Sequence, residues 1–189
     1  MSGAIGVSLS LYLYAHYKME TIVNKVAESG IVTLDLAPYL PVNATAVFDL
    51  KPFLFREMIL KEKDYRAALP LHDWEQYRNK HVAMHCSVDA ITPVWAYMLA
   101  ASYLEPLAAS VYFGTKEELE KSLIISNIKA IDKEEYADKR VVIKGCGDTP
   151  IPEAAYVAIT FHLRPVVKSI MYGEPCSTVP VYKKSMPKV

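Results

Sequence analysis

Apolar side chains alternate with polar or small ones at several places along the chain, and each such stretch has the two-residue period of a strand. In residues 81–88, Val82, Met84, Cys86 and Val88 alternate with Ala83, His85 and Ser87. Residues 110–113 form a shorter run closed by Gly114, and residues 140–144 form a third that leads into Gly145-Cys146-Gly147. Residues 31–36 and 47–50 read as two earlier strands, and residues 175–182 are extended in character. Between these runs the period lengthens to that of a helix. Thr92-Pro93 reads as an N-cap followed by a proline in the first turn, and residues 94–104 are apolar nearly all round, which predicts a buried helix. Thr115 and Glu118 have capping-box spacing ahead of Leu119, Leu123, Ile124 and Ile128. Residues 64–69 read as a short helix. From Pro152-Glu153 onward, Tyr156, Ile159, Leu163, Val166 and Ile170 keep helical spacing, so one long helix kinked at Pro165 is expected; the competing reading is a strand, because Val157, Ile159, Phe161 and Leu163 also alternate.

Strands that alternate with helices of this length imply crossover connections and a parallel arrangement. The fold class expected is therefore α/β, a three-layer sandwich with a mostly parallel sheet and helices on both faces. Residues 20–70 would extend the sheet or cover one face. An internal correspondence supports this register. Asp73-Trp-Glu75-Gln-Tyr77-Arg-Asn-Lys80-His-Val82 matches Asp132-Lys-Glu134-Glu-Tyr136-Ala-Asp-Lys139-Arg-Val141 position for position. Each copy predicts an Asp-capped helical turn, then a Lys, then a strand led by the Val.

The N-terminal 17 residues are apolar and aromatic but lack the basic n-region of a signal peptide, and residues 4–15 are too short to span a bilayer. Met19 opens an amphipathic segment with Ile22, Val23 and Val26 on one face. If translation begins there, residues 1–18 are an extension of doubtful role, and residues 19–189 form a single α/β domain. The chain has 189 residues with 21 basic and 21 acidic side chains, 52% hydrophobic and 22% charged. That balance excludes disorder and collagen-like structure, and a chain of this length buries roughly 70% of its unfolded surface. Zero net charge with no long basic run argues against nucleic acid and anionic membrane as partners. Only the stretch from Lys144 onward is mildly basic, with six basic residues against three acids.

No G-x-G-x-x-G or G-x-x-x-x-G-K-[ST] occurs, which disfavours nucleotide chemistry. The chemistry-bearing residues are three cysteines, Cys86, Cys146 and Cys176. Cys86 and Cys146 follow corresponding strands and should sit at the carboxyl edge of the sheet, where open α/β sheets bind ligands. Cys146 lies between two glycines that would let a metal or anion approach the backbone, and Asp148 and Glu174 are nearby oxygen ligands. Thiolates suit zinc or an iron–sulfur cluster. Against this, free cysteines are commonly small buried hydrophobes, and the spacing of these three matches no zinc-ribbon or ferredoxin pattern. The long helix after Cys146 would also carry Cys176 to the opposite end unless Gly173-Glu174-Pro175 turned the chain back. For nucleophilic catalysis a thiol needs a base. His85 points to the face opposite Cys86, and His162 falls mid-helix; His16, His72 and His81 have no companions that suggest ligation. An odd cysteine count and no secretion signal point to a reducing cytoplasm rather than to disulfides.

Met171-Tyr-Gly-Glu-Pro-Cys-Ser-Thr-Val-Pro180, taken with Lys144-Gly-Cys-Gly-Asp148 and Trp95-Ala-Tyr-Met-Leu99, resembles a bacterial family, the domain of unknown function 2480, over residues 19–184. The resemblance implies no assigned activity and no residue roles. It does imply gene neighbourhoods shared with iron–sulfur assembly genes. The expectation is thus a cytoplasmic protein that binds a thiophilic metal or iron–sulfur species through Cys86, Cys146 and Cys176, with Asp148, Glu174 or a partner supplying a fourth ligand and iron–sulfur assembly proteins as partners. The alternatives are a non-enzymatic, self-associating interaction protein with structural cysteines, and a Cys146-dependent hydrolase or transferase.

Overall fold

A computed structural model of the protein describes residues 30–144, 150–174 and 177–185. The described elements belong to the unit Ile31–Val189. In chain order they are β1 (Ile31–Leu34), β2 (Thr45–Asp49), β3 (Leu54–Phe55), β4 (Ile59–Leu60), α1 (Glu62–Ala68), β5 (His81–His85), α2 (Val94–Leu104), β6 (Ser110–Phe113), α3 (Lys116–Lys129), β7 (Arg140–Ile143), α4 (Glu153–Leu163), β8 (Ser169–Glu174) and β9 (Ser177–Lys183). The fold is mixed α/β. Among the described residues no helix is long and apolar enough to cross a membrane.

The strands do not share one sheet, as the alternating pattern suggested. A four-stranded sheet has the order β1-β7-β8-β9, a three-stranded sheet the order β2-β5-β6, and β3 and β4 make a small hairpin. The three-stranded sheet is wholly parallel, whereas the four-stranded one is mixed, because β9 turns back antiparallel to β8. Two β-α-β crossovers, β5-α2-β6 and β7-α4-β8, each supply two neighbouring parallel strands of one sheet, and one strand from the N-terminal part of the unit pairs with each: β2 with β5, and β1 with β7.

Each sheet has its own core. Val82, Met84 and Phe48 pack with Ala96, Ala100 and Leu104 of α2 and with Tyr65 of α1. Val141, Ile143, Leu34 and Ile170 pack with Ala155, Ile159 and Leu163 of α4 and with Ile124 and Ile128 of α3. Helix α3 also runs against β2 and β5, where the Thr45 hydroxyl donates to Glu120 Oε1 at 3.0 Å. Its capping box forms as the sequence predicts: the Glu118 N–H donates to Thr115 Oγ1 at 3.2 Å and the Thr115 N–H donates to Glu118 Oε2 at 2.8 Å.

Other expectations need correction. Helix α2 is buried on one face only; Val94 is 75% and Met98 67% exposed. It begins after Pro93 rather than at it, and Thr92 is engaged with the Tyr97 hydroxyl instead of capping. The long helix after Pro152 is two elements. Helix α4 stops at Leu163, the chain turns through Pro165, and Ile170 belongs to β8. Proline lacks the N–H that would continue the helix, and the fully buried Val167 and Ile170 reach the core from a turn and a strand rather than from a helix face.

The internal correspondence extends well past the ten matching positions. Helix α4 begins and ends 59 residues after α2, as do β7 after β5 and β8 after β6 at their first residues. The left-handed residues Asn79 and Asp138 share that offset, as do the positive-φ glycines Gly114 and Gly173. The Asn79 N–H donates to the Leu107 carbonyl and the Asp138 N–H to the Val166 carbonyl, again equivalent positions. Ahead of these, Asp35-Leu-Ala-Pro-Tyr-Leu40 recurs as Asp49-Leu-Lys-Pro-Phe-Leu54, and each copy follows a strand and makes a 3₁₀ turn. The unit is two interleaved copies of one pattern, a strand, a 3₁₀ turn and a β-α-β crossover. The copies part after the glycine: Gly114 leads into α3, whereas Gly173 leads into the β8–β9 hairpin.

Candidate functional site

The carboxyl ends of the parallel strands form two corresponding edges, one in each sheet. In the four-stranded sheet, Asp35 follows β1 directly. Its Oδ1 accepts from the Ala37 N–H at 2.9 Å, and Lys144, one residue past β7, donates from Nζ to Oδ2 at 3.3 Å. The Ala37 hydrogen bond, helped by Lys144, holds the Asp35 carboxyl below its ordinary range. Glu174 closes β8 and is the register partner of Ser177 on β9. Because β7 and β8 are adjacent, parallel and in register at Ile143 and Tyr172, both strands leave the sheet at this edge. Cys146, Asp148 and Cys176 lie outside the described residues.

In the three-stranded sheet the counterpart of Asp35 is Asp49, whose Oδ1 accepts from the Lys51 N–H at 2.9 Å and from the Ser87 N–H at 3.0 Å. Burial alone would raise this carboxyl, but hydrogen bonds from Ser87 and Lys51 and the neighbouring His85 outweigh it and hold it below the usual range. His85 is the register partner of Asp49, and its Nδ1 is inaccessible to solvent with no partner among the described residues.

Cys86 follows β5 at this second edge, and the strands that precede Cys86 and Cys146 in the chain, β5 and β7, belong to different sheets rather than to the one expected. The exact positional equivalent of Cys146 is Ser87, not Cys86. The Cys86 thiol is free, partly buried, and packed against the core on the face that Val82 and Met84 share. His85 therefore sits on the opposite face of the strand, as expected, and the two do not form a thiol–base pair. His162 Nε2 is 2.8 Å from the Ile131 carbonyl, a satisfied helical histidine. His81 Nδ1 is 2.7 Å from Ser110 Oγ, and His72 sits in an aromatic cluster. Among the described residues no three His, Cys, Asp or Glu side chains are placed to hold a metal ion.

Sequence reasoning missed Asp35 and Asp49. The signal was present as the repeated Asp-Leu-x-Pro-aromatic-Leu, in which an Asp next to a strand accepts the N–H two residues on, as Asx turns do.

The sequence profile of a family described as protein of unknown function, DUF2480, matches residues 20–184. The chain belongs to that family. The DUF2480 segment contains every strand and helix named above and all three cysteines. No curated protein matches the chain, and no solved structure matches it.

Proposed function

We propose that this DUF2480 protein binds a thiophilic metal or an iron–sulfur species at the carboxyl edge of its four-stranded sheet, through Cys146 and Cys176 with Asp148 or Glu174 beside them. The supporting observation is the return of the chain along β8. In the sequence Cys146 follows β7 and Cys176 lies between the paired residues Glu174 and Ser177, and the adjacent, parallel pairing of β7 and β8 supports a site shared by the two thiols. The obstacle that one long helix would have put between them is gone. Thiolates suit zinc or a cluster, with the oxygen ligands or a partner filling the coordination sphere.

Cys86 was part of the expected ligand set, but its place against the other sheet's core favours a packing role, so the set narrows to two thiols. A two-thiol site leaves coordination positions for an incoming protein, which fits cluster assembly or metal handling with iron–sulfur assembly proteins as partners. We also infer a reducing, cytoplasmic setting from the odd cysteine count, and α3 as the layer opposite α2 across the three-stranded sheet, since Ala83 points away from the α2 core and is fully buried.

The test is iron, zinc and acid-labile sulfide analysis with an absorption spectrum, on protein purified anaerobically from cells supplied with iron and zinc. Stoichiometric metal that is lost in folded Cys146→Ser and Cys176→Ser variants and kept in Cys86→Ser is the expected result. Metal-free folded protein, or metal content unchanged by these substitutions, would overturn the reading and hand the lead to an interaction protein with structural cysteines.

A further inference from the structure

We propose that the outer face of the four-stranded sheet, at the end away from the cysteine-bearing edge, is a docking groove for an acidic segment of a partner protein that carries an apolar anchor residue. Ile31, Arg140 and Ser169 are in register across β1, β7 and β8, and Lys183 of β9 pairs with Ser169. The next residues, Val141 and Ile170, face the core, so by strand alternation this row faces away from it. Here the surface forms a groove of about 920 Å³. Ile31, Met171 and Pro180 supply apolar lining, and Arg140, Lys168, Lys183 and Lys184 line it with positive charge.

Charge complementarity sets the occupant. Among the described residues the one acid in the lining, Asp138, is already paired with Lys184 at 3.2 Å. Arg140, Lys168 and Lys183 are exposed and have no ion pair among the described residues. The chain as a whole is neutral, so this local excess of cations is a property of the groove. A small inorganic anion would use the charges and leave the apolar floor wet. An acidic peptide with one leucine or aromatic side chain uses both: the anchor desolvates the floor, as interface hot spots do, while the carboxylates meet the basic rim, which adds specificity and speeds encounter. The volume is at the upper end of small-molecule pockets, and among the described residues the groove is flanked by solvent-exposed side chains rather than roofed over, as suits a linear segment.

Short fluorescein-labelled Asp/Glu peptides with a central Leu, Phe or Trp, titrated against the full chain by fluorescence anisotropy, test this. Expected are saturable binding that weakens with salt, loss when the anchor is replaced by Ala or the carboxylates by their amides, and roughly tenfold or greater weakening in the Arg140→Glu/Lys183→Glu protein. Lys129→Glu, on α3, serves as a charge-reversal control and should bind normally, and circular dichroism checks that both variants fold. The proposal is overturned if no peptide of the set saturates at millimolar concentration, if amidated and acidic peptides bind alike, or if the double variant binds as well as the parent. It is equally overturned if the protein binds phosphatidylglycerol vesicles through Arg140 and Lys183 while the peptides fail, since the surface would then be a membrane site.

Discussion

Tyr65 and His72 show how single polar groups are accommodated inside an aromatic core. Tyr65 is fully buried, and its hydroxyl donates to the Ala96 carbonyl at 3.0 Å, tying α1 to α2. Burial pushes its ionisation far up, so it stays a neutral donor at all working pH values. Tyr65→Phe removes that donor while keeping the ring, and urea denaturation should show a loss of about 1 kcal/mol. His72 stacks near Tyr77 and lies edge-on to Phe48 and Trp74, with Nε2 3.2 Å from the Tyr77 hydroxyl. Desolvation lowers its pKa from the ordinary value near 6.5. The unfolded chain therefore binds the proton first on acidification, and stability present above about pH 6.5 is lost as pH falls below it. Asp35 and Asp49, whose pKa values are also lowered, act in the same direction but only in the acid range below about pH 4. His72→Gln should flatten the difference in thermal midpoint between pH 7.5 and pH 5.5; an unchanged difference would show that another group controls it.

At the scale of elements, the sequence was most legible where a local rule acts alone. Strand Ser110–Phe113 and the capping box of α3 follow directly from alternation and spacing. Because that box satisfies two end groups of a helix serving the four-stranded sheet's core, Thr115→Ala should cost about 1 kcal/mol in chemical denaturation, within the usual range of roughly 0.5–2. The break between α4 and β8 was not legible. Val166 and Ile170 keep helical spacing by coincidence, because the turn after Leu163 and the first strand residues also return side chains to the same core. Only the pairing of β8 with β7 decides between the two, and pairing is invisible in a window of a few turns. Gly173 gave a clue of another kind: at φ +122 a Cβ would lie 2.5 Å from the Ser177 carbonyl oxygen, so glycine marks a tight hairpin entry there and not a helix end.

Across the whole molecule, the division into two sheets could not be read from the alternation of strands and helices, since one sheet and two share that pattern. The candidate site was legible as residue types but not as a grouping. The strands that precede Cys146 and Cys176 in the chain, β7 and β8, are neighbours only through the topology, and Cys86 follows a strand of the other sheet. Helix α3 couples the halves, with Ile124 and Ile128 in one core while the same helix runs along β2 and β5 of the other sheet. Ile128→Ala should cost about 2–5 kcal/mol. Native-state hydrogen exchange should then show amides of both sheets losing protection together; loss confined to β7 and β8 would mean that the sheets open independently.

The interleaving of the two copies also fixes an order of events during synthesis. Strand β2 meets β5 after a short intervening stretch, and the three-stranded sheet has all its strands once Phe113 has left the ribosome. Strand β1 is made first of the described strands, yet its partner β7 begins only at Arg140, so closing that loop is the costlier step in chain entropy. From the emergence of Phe113 until β7 follows, Ile31, Val32 and Leu34 are an unpaired apolar strand while the three-stranded sheet is already complete. A nascent chain stalled before Arg140 would expose that strand to chaperones and to pairing with its neighbours on the polysome.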